Sequence, residues 1–447
     1  MLSHSHLLMN HRIKQFLVAA AVLGCAHTAS AAERNPALDL LVKKGIITAE
    51  ERAQALEQAA IANLRSGPKE IAWYDKLKID GYTQFRFTEN LDDASKALNV
   101  PADKSVSTTE GFLLRRGRFK ISGDVAPRLH VYSQLDFAAS TGATSLSLQA
   151  RDLYADIALD DDREHRVRAG LSKVPYGWVN LQSSQNRIVM ERPEALNSAV
   201  EGERDLGLYY MYASKESREL FKSLVKDGLK GSGDYGVLTL GGFAGQGLNK
   251  SDLNGEPHLL ARLSYPWKTE SGQIYEAGIG AYAGKYVVAT GTTTRVDTGA
   301  SVTPAAGSKE FDDRRAVATF IMYPQPFGIE AEWTVGQGPQ LNANRDAIGL
   351  ADLKGGYVLI NYRIFSGEQE FFPFVRWNYF DGARKFATNA PKMVVNEIDI
   401  GCEWQIRKEL ELQASYTFTN ERNNTSASPY TNVKDARRFA IQLQFNY

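Results

Sequence analysis

The sequence is poor in the residues from which catalytic and metal centres are most often built. It holds two cysteines and seven histidines in 447 residues. Cys25 and four of the histidines (His4, His6, His11, His27) fall within the first 31 residues. Beyond them Cys402 stands alone, which excludes an intramolecular disulfide. His130, His165 and His258 show no metal-ligand spacing, and no G-x-S-x-G nucleophile motif accompanies them. No enzyme activity, cofactor or metal is therefore expected. Net charge is missing too: 52 basic residues balance 52 acidic ones, which argues against nucleic acid as a partner. After residue 31 no run approaches the ~18 apolar residues of a membrane-spanning helix. That absence leaves a transmembrane barrel open, because barrel strands alternate in polarity.

What is present begins with an export signal. His11, Arg12 and Lys14 precede the apolar run FLVAAAVLG, and TASAA offers cleavage after Ala31 or Ala32. Residues 1–31 are thus expected to be a signal peptide. Val22-Leu23-Gly24-Cys25 also loosely resembles a lipoprotein box, which would leave Cys25 acylated, although Leu23 is bulky for that box. Residues 33–70 are rich in Ala, Leu, Glu and Gln. Thr48-Ala49-Glu50-Glu51 fits a capping box, and Gly67-Pro68 stops the run. A periplasmic helical hairpin or a short coiled-coil stub is expected there.

From Leu77 onward two-residue periodicity recurs in segments of about 10 to 13 residues, the length of tilted membrane strands. Strands are expected near 77–88, 112–123, 128–139, 148–160, 164–172, 203–213, 234–245 and 257–267. Eight more lie near 272–286, 312–322, 327–337, 353–364, 370–380, 393–405, 408–420 and 435–447. Long connections (89–111, 140–147, 173–202, 246–256, 287–311, 338–352, 381–392, 421–434) alternate with tight ones such as DVAPR, DDRE, KTES and YPQP. That rhythm predicts an all-β antiparallel transmembrane barrel of about 16 strands over residues 77–447. One connection, 214–233, is too long for a tight turn and suits a small periplasmic helix.

Strand parity sorts the faces. Phe439, Ile441, Leu443, Phe445 and Tyr447 share one face of the last segment, and Arg438, Gln442, Gln444 and Asn446 the other. Apolar residues out and polar residues in describe a water-filled barrel, with Tyr82, Tyr265, Trp267, Trp333, Trp377 and Tyr379 expected in interface girdles. The inward set predicts a basic ladder of Arg86, Arg116, Arg118, Lys120, Arg166 and Arg168. Facing it is an acidic arc of Glu330, Glu332, Glu397, Asp399, Glu403 and Glu411. Charged walls of this kind steer and select charged solutes. In LLRRGRFKIS, residues 113–122, Leu113, Phe119 and Ile121 are expected to face lipid. Arg115 has the parity of the lipid side, where it would snorkel toward headgroups.

Three blocks carry a resemblance: LRRGRFKISGDVAPRLHVYSQLDFA, VRAGLSKVPYGWVNLQSSQNRIVMERPEAL and GERDLGLYYMY. Their order and spacing resemble the phosphate-selective porin O/P family of Gram-negative outer membranes. The resemblance implies a 16-stranded, homotrimeric outer-membrane porin for small anionic solutes, with loop 173–202 folded into the lumen. By the same resemblance Lys173, Ser183, Ser184, Arg187 and Arg192 are candidate contacts in that loop, with Gln185 beside them. Outer-membrane lipids are the implied surroundings. The aromatic Tyr447 keeps the character by which barrel-assembly machinery recognises a C-terminal strand. Glu191, Glu194 and the acidic arc leave open a general porin of weak selectivity, and a non-conducting receptor or adhesin barrel is the further alternative.

Overall fold

The computed structural model describes residues 36–66, 72–103, 105–106, 110–138, 147–424 and 431–447. The expected signal peptide and Cys25 lie outside the described residues. The chain divides into two units, Met1–Asp75 and Lys76–Tyr447. Among the described residues no helix is long and apolar enough to cross a membrane.

In the first unit, α1 (Pro36–Lys43) and α2 (Ala49–Ser66) pack through Leu38, Ile47 and Ala55. The start of α2 is a reciprocal cap. The Glu51 amide donates to Thr48 Oγ1 at 3.1 Å, and the Thr48 amide to Glu51 Oε2 at 2.7 Å.

The second unit is a closed ring of sixteen antiparallel strands. The first eight are β1 (Lys78–Asn90), β2 (Gly111–Ala126), β3 (Leu129–Asp136), β4 (Gln149–Ala158), β5 (His165–Lys173), β6 (Arg204–Tyr212), β7 (Leu238–Phe243) and β8 (His258–Lys268). The second eight are β9 (Ile274–Val287), β10 (Glu310–Met322), β11 (Phe327–Leu341), β12 (Ile348–Tyr362), β13 (Gln369–Ala383), β14 (Lys392–Arg407), β15 (Leu410–Asn423) and β16 (Thr431–Asn446). Each strand pairs with its neighbours in sequence, and β16 closes onto β1 with Leu443 opposite Phe85. Closure leaves the barrel without an unpaired edge, as hydrocarbon demands.

Polarity is inverted relative to a soluble protein. On β14, Ile398 and Ile400 are exposed while Glu397, Asp399 and Glu403 are buried. The outer surface carries Leu259, Leu263, Ile279 and Phe418, and Trp333, Trp377 and Tyr379 stack there side by side. Tyr82 departs from the expected girdle. It is fully buried and bonds the Ser184 hydroxyl at 2.6 Å, because its parity on β1 is that of Gln84 and Arg86.

Several element boundaries differ from expectation. β11 and β12 run on through the predicted loop 338–352, paired as far as Leu341 and Ile348, so the backbone groups there satisfy one another. β7 is short because the residues before it turn into the barrel. The long connection preceding it holds α4 (Lys215–Lys226), capped by Ser214.

Candidate functional site

The loop between β5 and β6 does not stay outside. From Val174 to Val200 nearly every residue is buried, charged ones included. A buried loop must find partners for its backbone, and here the barrel wall supplies them. Glu332 on β11 accepts the Trp178 and Val179 amides at 2.6 and 2.7 Å. Gln413 on β15 donates to the Arg187 carbonyl at 2.6 Å, and Arg376 on β13 to the Glu191 carbonyl at 2.5 Å. Lys173 holds the first bend, donating to the carbonyls of Leu181 and Gln182 at 2.9 and 2.8 Å. Within the loop, Pro193 leads into a single turn, α3 (Glu194–Asn197). Ser183 accepts the Asn186 amide at 2.9 Å, and Gln185 Oε1 faces Lys120 at 3.4 Å.

The cations of the predicted basic ladder are all paired with carboxylates. Arg86 lies 2.9 Å from Glu191 and 3.3 Å from Asp103, and Arg116 lies 2.9 Å from Glu191. Arg118 pairs with Asp136 at 3.1 Å, Lys120 with Asp80, and Arg166 with Asp234 at 2.6 Å. Arg168 takes Asp156 at 2.7 Å and stacks over Tyr154 at 4.0 Å. In the loop, Arg187 and Arg192 both reach Glu203, the latter at 2.9 Å. The basic wall thus interleaves with carboxylates from β1, β3, β4 and the loop, which a count of inward cations does not reveal.

Two arginines outside the predicted ladder join it. Between β1 and β2 the register shifts: Gln84 faces Arg116, but Phe85 faces Leu114, so Arg115 is an extra residue. Such a bulge breaks the alternation of faces. Arg115 is therefore not a rim anchor in lipid. It is buried and donates to both Glu191 oxygens, at 2.5 and 2.7 Å. Leu113, expected toward lipid, falls opposite the inward Arg86. The same device recurs between β3 and β4, where Gln134 faces Asp152 and Leu135 faces Ala150, leaving Arg151 as the extra residue. Its Nε is buried without a hydrogen-bond partner, and Asp136 lies 3.9 Å away.

Both bulge arginines open onto one cavity of about 210 Å³. Arg116, Arg118 and Arg192 line it with them, against Asp136, Glu201 and Glu203. Five guanidiniums therefore face three carboxylates. Burial pushes the neighbouring Glu191 carboxyl up, but Arg115, Arg116 and Arg86 outweigh this and hold it well below the usual carboxylate range.

The residues of the predicted acidic arc are buried, and part of the arc is structural. Glu332 anchors the loop, and Glu330 receives the Tyr357 hydroxyl at 3.5 Å. Asp399 pairs with Arg376 at 2.7 Å, and Glu397 with Arg438 at 3.2 Å. Glu403 pairs with Lys230, and Glu411 accepts Gln405 and Gln444 at 3.1 and 3.3 Å. Arg438 was legible as inward by parity; Arg115, Arg151 and Arg376 were not among the residues so assigned.

A closed sixteen-strand barrel, apolar outside, with a polar lumen crossed by an infolded loop, defines a porin of the bacterial outer membrane. The chain belongs to the family described as "Phosphate-selective porin O and P", whose model matches residues 93–447. It is a channel protein and not an enzyme. Solved structures agree on the fold. The outer-membrane channel DcaP of Acinetobacter baumannii is 13% identical, with a TM-score of 0.52 over 83% of this chain and 97% of that one. OmpT of Vibrio cholerae, in its trimer form, is 10% identical, with a TM-score of 0.50 over 83% of this chain and 99% of that one. OmpF of Salmonella typhi in complex with daunomycin is 12% identical, with a TM-score of 0.50 over 84% and 99%. Among curated protein sequences, none matches this one.

Proposed function

We propose that this porin is anion-selective and passes small anions such as phosphate through its arginine-lined cavity. One observation carries the reading: Arg115, Arg116, Arg118, Arg151 and Arg192 converge on a single cavity of about 210 Å³ where carboxylates are outnumbered. Guanidinium groups bind phosphate through charge-assisted, often bidentate hydrogen bonds. Conduction also requires release, and the nearby carboxylates weaken each contact enough to permit it. Arg86, Lys120, Arg166 and Arg168 would extend the basic path along the wall. Lys173, Ser183, Ser184 and Arg187 would shape the loop that narrows it. The family description supports the same class of solute.

The test is the reversal potential of purified protein in a planar bilayer across a salt gradient, with phosphate block of chloride current as a second readout. Anion preference and block are expected. Arg116→Gln with Arg118→Gln should shift the potential toward cations, and an unchanged potential would reject their role.

A weakly selective general porin is the second reading, favoured by the ion pairing of nearly every ladder cation. A reversal potential near zero would support it. Assembly as a homotrimer fits the same proposal, since the similar OmpT is recorded as a trimer form. So do removal of residues 1–31 on export, a periplasmic place for residues 33–70, and insertion by barrel-assembly machinery through β16 and Tyr447. Cross-linking in native membranes tests the trimer.

A further inference from the structure

The infolded loop enters the lumen from the long-loop end. A second segment enters from the opposite end. The connection between β6 and β7, residues 213–237, begins with α4, a helix of 12 residues and so ~18 Å long. Its start is tied to the turn between β4 and β5: Glu164 accepts the Lys215 amide at 2.7 Å, and Arg218 donates to the Asp162 carbonyl at 2.7 Å. Its far end reaches Arg363, just past β12 and almost opposite in the ring, which donates to the Asp227 carbonyl at 3.0 Å. The helix thus lies across the mouth rather than beside it. Phe221 and Leu224 are buried on its inner side.

After α4 the chain climbs inward. Leu229, Lys230 and Ser232 are each at most 7% exposed. Lys230 pairs with Glu403 on β14, and its Nζ sits 4.6 Å from the centre of the Phe372 ring on β13. The Lys230 carbonyl accepts from the Gln182 side chain at 2.7 Å, so this segment touches the loop that comes from the other end. Asp234 then closes the segment onto the wall, accepting from Arg166 at 2.6 Å and from Arg218 at 3.0 Å.

We infer that residues 213–237 form a second constriction, in series with the first, and that Lys230 sets its charge. Glu403 and Glu411 face this level from β14 and β15, and Glu330 from β11. The connection supplies the ammonium that offsets them. Without Lys230, Glu403 would lose its paired cation and the inner constriction would shift toward cations, whatever the outer cavity prefers. The inference goes beyond the anion reading, because narrowing does not depend on the sign of the permeant ion.

Two variants of the full chain test it in planar bilayers, each first checked for heat-modifiable mobility as a sign of a folded barrel. Replacing residues 215–234 by a short hairpin turn should raise single-channel conductance roughly two-fold, as when one of two comparable series barriers is removed. A folded variant of unchanged conductance overturns the second constriction. Lys230→Gln should shift the reversal potential toward cations, and adding Glu403→Gln should reverse that shift. An unchanged potential in Lys230→Gln overturns the role of Lys230. Failure of the anion reading appears separately, as a parent channel with no anion preference.

Discussion

Arg115 and Glu191 form a planar two-bond pair, Nε to Oε1 at 2.5 Å and Nη2 to Oε2 at 2.7 Å, joining a barrel strand to the infolded loop. The same carboxylate receives Arg86 and Arg116, each at 2.9 Å. One anion therefore restrains three cations and pins the tip of the loop to β1 and β2. Its position is also where a permeant anion would compete, since Arg115 and Arg116 line the adjacent cavity.

Neutralising that carboxylate should raise anion preference. Glu191→Gln removes one negative charge beside three guanidiniums. An uncompensated charge is worth on the order of 1 kcal/mol to an ion ~4 Å away in water, a several-fold change in permeability ratio. Reversal potentials read it directly. The same change should loosen the loop, because breaking a buried pair costs about 3–5 kcal/mol, and thermal loss of the heat-modifiable band should come earlier.

Arg115→Gln separates a lumen residue from a lipid-facing one. A residue in contact with headgroups would leave ion selectivity alone. In the lumen position its loss should move the reversal potential toward cations by an amount comparable to Arg116→Gln. Equal potentials in parent and Arg115→Gln channels would contradict the bulge geometry.

Glu332 accepts two loop amides, and hydrogen bonds to a charged group contribute about 1.5–3 kcal/mol each. Glu332→Ala should free the first half of the loop while leaving the ring of strands intact. Open-channel current noise should rise and protease cleavage near Trp178 should appear, without loss of the folded barrel on gels.

Glu194, in the single turn α3, is buried, and burial pushes its carboxyl up to about 7 against the Asn197 side chain and the Ala102 amide, which favour the charged form. Below that pH the group is neutral; above it the loop gains one negative charge. Anion preference should therefore fall as pH rises from about 6 to about 8. Glu194→Gln should flatten that step, as measured by reversal potential against pH.

Much of the barrel was legible because its physics is local. Each strand must show lipid an apolar face and water a polar one, so alternation in residues such as Ile398, Asp399 and Ile400 marks strand, face and length together. Loop 173–202 gave no such local sign of entering the lumen. Its anchors, Glu332, Arg376 and Gln413, are 150 or more residues away and become partners only when the ring closes. The connection 214–233 read correctly as room for a helix, yet nothing in it announced that Lys230 would meet Glu403.

The sequence by itself determined an exported, charge-balanced chain that closes as a β-barrel, and which residues of each regular strand face water. The tertiary structure decided how the charges meet. Two bulges, each a single unpaired residue, carried Arg115 and Arg151 from the lipid side to the lumen, since one extra residue inverts a period of two. Pairing of the basic wall with Glu191, Glu203 and five aspartates was also decided there. Contact between charges distant in sequence is fixed by closure and loop insertion, which parity along one strand does not encode.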